Sequence, residues 1–283
     1  MPLRTERRTR PRVRFALLWD VLFRALRGSL THVQSFYTAI GIFVTAGALL
    51  AIGGTWAFAE LAVHVRSGAT QVFDDAVMQW MGAHQVPWLK TVMVQLTALG
   101  TGVVVMMVVF VAALFLWLTK HKHSAALLLV TTSVGIVING MLKNVFHRTR
   151  PQIFPWGTDA FTTSFPSGHA MSAAIVYGTV AYLAARLQRT RLARAITIGV
   201  ALVLVVLISL SRIYLGVHYP SDTLAGVTIG FAWAAFCMAT LEAVQMVAAR
   251  RAPQAFENEQ QPELDPPAAA RAASPERRAP RLL

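Results

Sequence analysis

The sequence predicts an all-α, polytopic membrane protein with six transmembrane helices in a bundle. Hydrophobic residues make up 55% of the 283 residues and charged residues only 14%, and the mean hydropathy is +0.51. These values lie far from those of an average soluble domain. A transmembrane helix needs about 20 mainly apolar residues. Six stretches meet that requirement, at about 38–59, 91–118, 124–142, 170–187, 195–213 and 223–248.

The sequence divides into three regions. We expect a basic, amphipathic, cytoplasmic segment over residues 1–35, which is typical of an interfacial helix, and a membrane domain over residues 36–248. Residues 249–283 are rich in proline, alanine and charge, which predicts a disordered cytoplasmic tail. A second interfacial helix is expected between the first two spans. Its apolar residues recur at helical spacing, at Phe73, Val77, Trp80 and Met81.

The distribution of basic residues predicts the orientation of the chain. The termini and alternate loops carry 20 of the 26 lysines and arginines, whereas the other three loops carry six. Because basic loops stay in the cytoplasm, both termini are expected inside. The alanine- and arginine-rich composition favours a bacterial cytoplasmic (inner) membrane, with the remaining loops facing the periplasm or exterior. Topology and anionic lipids account for the net charge of +13, so no nucleic-acid partner is expected.

Three basic residues stand at the predicted outer ends of spans or just beyond them: Lys143, Arg150 and Arg212. Ionisable groups at the edge of the hydrocarbon are costly and usually line a polar site. Any one of them alone is equally consistent with snorkelling to the interface. Three converging cations would bind a tetrahedral dianion, because guanidinium groups suit paired phosphate oxygens and lysine supplies a point charge.

The run Pro166-Ser167-Gly168-His169 opens the predicted fourth span. The first backbone N–H groups of a helix have no partners within the helix and favour anions. Ser167 is expected at the N-cap, and Gly168 allows close approach of the backbone to the anion. The run therefore adds an anion site beside a histidine.

A second histidine, His218, lies four residues before Asp222 at the start of the last span. A carboxylate at this spacing can accept the Nδ1 proton of the imidazole and leave Nε2 free as a nucleophile. Arg148 is expected to contact either the substrate or a lipid headgroup. Asp74 and Asp75 are adjacent rather than on one helical face, so no metal site is expected there, and no cofactor is predicted.

Taken together, the stretches KNVFHRTRP, PSGH and SRIYLGVHYPSD resemble the three motifs of the type 2 phosphatidic acid phosphatases, also called lipid phosphate phosphatases. The resemblance extends over about residues 73–245 and includes the run QLTALG. It implies a six-helix membrane bundle and metal-independent hydrolysis through a phosphohistidine. The substrate would be a membrane lipid phosphate such as phosphatidate, phosphatidylglycerol phosphate or undecaprenyl diphosphate.

The resemblance also implies a role for each motif residue. His218 would be the nucleophile, Asp222 its orienting partner and His169 the acid that protonates the leaving oxygen. The phosphoryl oxygens would be held by Lys143, Arg150, Arg212, Ser167 and the Gly168 amide.

Two other functions fit the same motifs. A lipid phosphotransferase would use the same phosphohistidine, and nothing in the sequence separates it from a hydrolase. A non-catalytic lipid-phosphate transporter would leave the nucleophile and acid unexplained. The vanadium haloperoxidases share the motifs, but they are soluble. The sequence does not predict the oligomeric state, and it favours undecaprenyl diphosphate and phosphatidate-type lipids equally.

The predicted orientation can be tested by cysteine labelling. After Cys237 is changed to serine, a cysteine at Thr158 should react with an impermeant thiol reagent in intact cells, because its loop is expected outside. A cysteine at Ser274 should stay unlabelled until the membrane is permeabilised. The reverse labelling pattern would overturn the orientation.

Overall fold

The computed structural model describes residues 35–251, which form eight helices and, within that range, no strand. The helices are α1 (Ser35–Arg66), α2 (Gln71–Ala83), α3 (Pro87–Ala98), α4 (Gly102–Leu118), α5 (Lys122–Phe146), α6 (Gly168–Leu187), α7 (Arg191–Tyr214) and α8 (Pro220–Arg251). The described residues up to Glu242 form one compact unit, and the end of α8 from Ala243 belongs to a second unit. The amphipathic helix predicted before Ser35 and the tail predicted beyond Arg251 lie outside the described residues.

Five of the helices, α1 and α5 to α8, are long and apolar enough to cross a membrane. The second span was predicted as one helix, but the structure divides it into two, α3 and α4. Together α3 and α4 pass the same test, but they are bent by 48°. The all-helical fold class is confirmed, with the bent pair counted as the sixth span.

The break between α3 and α4 coincides with close packing at a glycine and with a backbone carbonyl that bonds to a side chain. A Cβ atom added at Gly100 would lie 2.8 Å from Ile208 and 3.1 Å from the His169 side chain, so only glycine allows this close approach. The break frees the Leu99 carbonyl, which accepts a 2.7 Å hydrogen bond from the Tyr177 hydroxyl. Backbone groups at membrane depth need such partners.

The core lies around α6, whose small residues allow neighbouring helices to approach closely. Ala173 and Ala174 are fully buried and pack beside Ile208 of α7. On another side, Met171 packs in a cluster that includes Leu128 of α5. Small residues at such interfaces are typical of membrane bundles. Large apolar side chains on α1 and α4 remain exposed, as expected for surfaces that face lipid: Leu49, Leu50, Trp56, Phe110 and Phe115.

The second predicted interfacial helix is present as α2, but it is attached more firmly than expected. Phe73 and Trp80 are exposed, as an interfacial helix requires. The opposite face buries Asp74 and Met78 completely. Met78 packs in a cluster with Tyr219 just before α8. One face of α2 is therefore part of the protein core.

The close approach of α8 to α6 predicts the effect of a small substitution. A Cβ atom at Gly226 would lie 2.6 Å from the Ser167 carbonyl oxygen. Gly226→Ala should therefore lower the free energy of unfolding by about 1–3 kcal/mol through overpacking, measured as a lower melting temperature in detergent. The matched control is Gly199→Ala in α7, where no atom lies within 4 Å. It should be neutral or stabilise by about 0.5–1 kcal/mol. Equal melting temperatures for Gly226→Ala and the wild type would contradict this account.

Candidate active site

The residues predicted from the motifs meet at one end of the helical bundle. Lys143 lies in the last turn of α5 and Arg212 in the last turn of α7. Asp222 lies in the first turn of α8. Arg150 lies in the connection between α5 and α6, and His218 lies in the short connection between α7 and α8. The three cations are close enough to interact electrostatically with one another.

Two left-handed residues set the course of these connections. His147 ends α5 with φ 45°, and its N–H donates to the Lys143 carbonyl at 3.3 Å. Gly216 follows α7 with φ +79°, and its N–H donates to the Ile213 carbonyl at 3.0 Å. Such residues end helices by turning the chain sharply. The second turn brings His218 back over the end of the bundle.

His218 is buried, with only 2% of the residue exposed. Its Nε2 lies 3.1 Å from Nη1 of Arg150. Because a guanidinium group can only donate, Nε2 accepts this bond and the ring proton is assigned to Nδ1. Burial lowers the pKa of His218 to about 4, although the neighbouring Asp222 opposes the change. The imidazole is therefore neutral at pH 7, with its Nε2 lone pair held by Arg150.

The other side of the His218 ring faces Asp222. Nδ1 lies 3.5 Å from Oδ2 of Asp222 and 3.4 Å from the Ser164 hydroxyl. Ser164 also donates a hydrogen bond to the same carboxylate oxygen. The serine hydroxyl therefore contacts both the imidazole and the carboxylate. The predicted pairing of His218 with Asp222 is present at ion-pair distance, with this additional partner.

Oxygen atoms of the backbone hold two of the cations. Lys143 Nζ donates to the Thr163 carbonyl at 2.6 Å. Arg150 donates through Nε to the Thr162 carbonyl at 2.8 Å and through Nη1 to the Val217 carbonyl at 2.6 Å. These carbonyls orient both side chains but do not neutralise their charge.

Two buried groups at the site lack a hydrogen-bond partner. Arg212 is 3% exposed, and its Nη1 donates to the Thr97 hydroxyl at 2.8 Å, while its Nε has no partner. Ser167 occupies the N-cap position of α6, as predicted, but its hydroxyl caps nothing and is unpaired. At Gly168, a Cβ atom would lie 3.0 Å from the Asn139 side-chain oxygen. Since buried polar atoms are normally paired, Arg212 and Ser167 are available to a ligand.

Arg148 differs from the other three cations. Its Nη2 pairs with Oδ2 of Asp74 at 2.8 Å, and its Nη1 pairs with Oδ1 of Asp222 at 2.7 Å. Burial alone would lower the pKa of Arg148, but the two carboxylates outweigh it and raise that pKa above its ordinary value. The sequence predicts a contact of Arg148 with the substrate or with a lipid headgroup, and the structure shows its guanidinium paired within the protein.

Three residues of the site were not predicted as part of it. Ser164 precedes the PSGH run by two residues, and Thr97 lies within QLTALG, so their positions next to motif stretches were the only signal. The sequence raises Asp74 only as a candidate metal ligand. It is instead fully buried and accepts hydrogen bonds from the Ser221 backbone and hydroxyl. No local pattern predicts that pairing.

His169, in the first turn of α6, is partly exposed. It lies close enough to Arg212, His218, Arg150 and Lys143 for electrostatic interaction. All the residues predicted from the motifs are therefore brought to one site. Among residues 35–251, no group of three or more histidine, cysteine, aspartate or glutamate side chains is arranged to hold a metal ion.

Comparison with known proteins decides the family. Residues 124–245 match the PAP2 superfamily. The chain is 31% identical to phosphatidylglycerophosphatase B of Bacillus subtilis, over 61% of this chain and 85% of that protein. The chain belongs to the PAP2 superfamily. It is also 28% identical to the undecaprenyl-diphosphatase of Sulfolobus acidocaldarius, over 60% of this chain and 79% of that protein.

A solved PAP2 structure has the same fold. The crystal structure of a transmembrane PAP2-type phosphatidylglycerolphosphate phosphatase from Bacillus subtilis matches with a TM-score of 0.63 at 28% identity, covering 68% of this chain and 94% of that one. These comparisons confirm the family, the helical membrane fold and the enzyme class predicted from the sequence. The protein is a PAP2-type lipid phosphate phosphatase, which is a phosphoric ester hydrolase.

The environment of His218 predicts an unusual titration. Burial lowers its pKa from the ordinary 6.5 to about 4. The imidazole should thus gain its second proton only as the pH falls through about 4. In ¹⁵N-histidine spectra of detergent-solubilised protein, its signals should stay those of a neutral ring protonated at Nδ1 from about pH 8 to about pH 5. His218→Asn assigns the resonance, and His84→Asn assigns an exposed histidine for comparison. A midpoint for His218 near 6.5 would contradict this prediction.

Proposed function

We propose that this PAP2 enzyme hydrolyses the phosphate of a membrane lipid without a metal ion, through a phosphohistidine on His218. The observation that carries the proposal is the pairing of its cations. Lys143, Arg150 and Arg212 are held by carbonyl and hydroxyl oxygens and form no ion pair with a carboxylate in the described part of the chain. Arg148, next to them, has two such pairs.

This charge balance supports an anionic ligand. Arg212 is buried, and Lys143 and Arg150 are partly buried. Cations in such positions without a directly paired carboxylate are costly, and a phosphate dianion would supply that pairing. It would also accept hydrogen bonds from the unpaired Arg212 Nε and Ser167 hydroxyl. Fixed cations at a phosphoryl group stabilise the charge on its equatorial oxygens in the transition state.

The position of His218 supports its role as nucleophile. Its Nε2 is unprotonated and lies on the side of Arg150. When substrate binds, Arg150 would turn from Nε2 to a phosphoryl oxygen and free the lone pair. Asp222, on the Nδ1 side, would stabilise the positive charge that develops on the ring as Nε2 bonds to phosphorus.

The reaction would then take two steps. As the bond from Nε2 to phosphorus forms, the bond between phosphorus and the lipid oxygen breaks, and His169 donates a proton to the leaving oxygen. Water next attacks the phosphohistidine while His169 accepts its proton. The bond between nitrogen and phosphorus breaks with its electron pair returning to Nε2, and phosphate leaves.

The proposed substrates follow from the relatives and from the absence, within residues 35–251, of a separate recognition domain around the site. The matched relatives are named for phosphatidylglycerophosphate and for undecaprenyl diphosphate. Within the described residues the connections around the site add no separate domain, and the longest of them runs between Phe146 and Gly168. We infer that the phosphate and the lipid chain supply most contacts, which fits phosphatidate, phosphatidylglycerol phosphate or undecaprenyl diphosphate. The charge asymmetry of the loops supports a site on the outer face of a bacterial inner membrane, with both termini cytoplasmic.

The mechanism predicts activity in chelator. Purified protein in EDTA should release phosphate from at least one lipid of a panel containing the three candidates, and vanadate should inhibit it, because side chains rather than a metal neutralise the phosphate. Reactions with labelled substrate that are quenched in alkaline denaturant should contain a phosphoenzyme that is stable in base and labile in acid. His218→Ala should abolish both turnover and adduct, while His84→Ala, an exposed histidine, should retain both.

Two outcomes would overturn the proposal. One is loss of activity in EDTA that Mg²⁺ restores. The other is a phosphoenzyme that persists in His218→Ala, which would place the nucleophile elsewhere.

A further inference from the structure

The guanidinium group of Arg148 is surrounded by partners from the protein itself. Besides the two carboxylates, its Nη1 donates to the Ser221 hydroxyl at 2.7 Å, and its Nη2 donates to the Gln71 side-chain oxygen at 3.1 Å. The guanidinium carbon lies 4.2 Å from the centre of the Tyr219 ring. Only 11% of the side chain is exposed. Its donors are directed into the protein, so it is not placed to bind a phosphate.

Asp74 fixes one end of this arrangement. Its Oδ1 accepts from the Ser221 N–H at 3.0 Å. Its Oδ2 accepts from the Ser221 hydroxyl at 2.5 Å and from Arg148 at 2.8 Å. All three partners are donors, so both oxygens must act as acceptors. A carboxylate meets this requirement, whereas an amide would present a donor at one of the two positions.

Asp222 lies at the other end. Arg148 occupies its Oδ1, while Oδ2 accepts from Ser164 and from the Tyr219 N–H at 2.9 Å. The same Oδ2 is the oxygen that lies 3.5 Å from Nδ1 of His218. By holding Oδ1, Arg148 fixes the rotation of the carboxylate and keeps Oδ2 towards the imidazole.

We infer that Arg148 is a positioning residue, which Asp74 of α2 holds in place and which in turn orients Asp222 towards His218. The inference rests on the proposed function, because it takes His218 as the nucleophile and Asp222 as its partner. The inference assigns different roles to the two arginines of the stretch KNVFHRTRP. Arg150 would bind the phosphoryl group, whereas Arg148 would act only through Asp222.

The two roles predict different kinetics. Loss of a positioning residue slows the chemical step, while loss of a phosphate-binding cation also weakens an oxyanion inhibitor. We therefore expect Arg148→Gln and Asp74→Asn to lower kcat roughly 10- to 100-fold, as for outer partners that orient catalytic or ligating histidines. Their inhibition constants for vanadate should stay within about threefold of the wild type. Arg150→Gln should raise that constant by at least about tenfold.

Two further variants sharpen the comparison. Asp75→Asn is the matched control for Asp74→Asn, since Asp75 is the next residue of α2 and accepts a hydrogen bond only from Gln71 among the described contacts. It should keep wild-type kcat. Arg148→Lys keeps the charge but cannot direct two nitrogens to the two carboxylates, so its kcat should fall between those of Arg148→Gln and the wild type.

The kcat values and vanadate inhibition constants are compared only among variants that fold like the wild type. Folding is checked by gel filtration and by the melting temperature in detergent. If Arg148→Gln does not fold, Asp74→Asn, which keeps the size of the side chain, decides. A vanadate constant that rises in parallel with the loss of kcat would make Arg148 a phosphate ligand and overturn the inference. Wild-type kcat in both Arg148→Gln and Asp74→Asn would also overturn it. Turnover that survives in His218→Ala would instead refute the proposed function, so the two failures are distinguishable.

Discussion

The carboxylate of Asp222 is the group on which the rest of the site depends. Its two oxygens accept hydrogen bonds from Arg148, from the Ser164 hydroxyl and from the Tyr219 N–H, and its backbone carbonyl accepts from the Ser167 N–H at 3.0 Å. The two connections that follow α5 and α7 therefore converge on the first turn of α8. Because Asp222 is fully buried, removing the carboxylate would leave the Ser164 hydroxyl and the Tyr219 N–H without this acceptor inside the protein.

A second constraint is the uneven pairing of charge around this carboxylate. Arg148 is neutralised by Asp74 and Asp222, and both carboxylates are thereby used within the protein. Lys143 and Arg212 are left with neutral oxygen partners only. Burying a charge without a paired counter-charge is unfavourable, so an anion bound among these cations would offset part of that cost.

Part of this arrangement was predictable because the signals are local. Hydropathy located the spans, and motif spacing identified the residues that meet at their ends. The bend after Ala98 was not predictable from hydropathy, since the apolar run continues through it. The close packing of Gly100 against Ile208 at this point is visible only in the folded chain. Ser221 and Asp74 are 147 positions apart in the sequence, so their pairing is visible only in the folded chain. Arg148 and Arg150 carry the same group, and only their partners distinguish them.

Helix α2 connects the apolar surface of the protein to this buried chemistry. One face exposes Val72, Phe73 and Trp80, which suits a helix at a membrane interface, while Asp74, on the same two turns, is fully buried. The Asp74 carboxylate holds Ser221 and Arg148, and Arg148 holds Asp222. Moving α2 would break hydrogen bonds between the fully buried Asp74 and its partners Ser221 and Arg148, the latter with only 11% of its side chain exposed. The position of α2 at the protein surface and the orientation of Asp222 are therefore coupled through Asp74 and Arg148. A helix that precedes all three motifs in the sequence thus contacts the residues around the site.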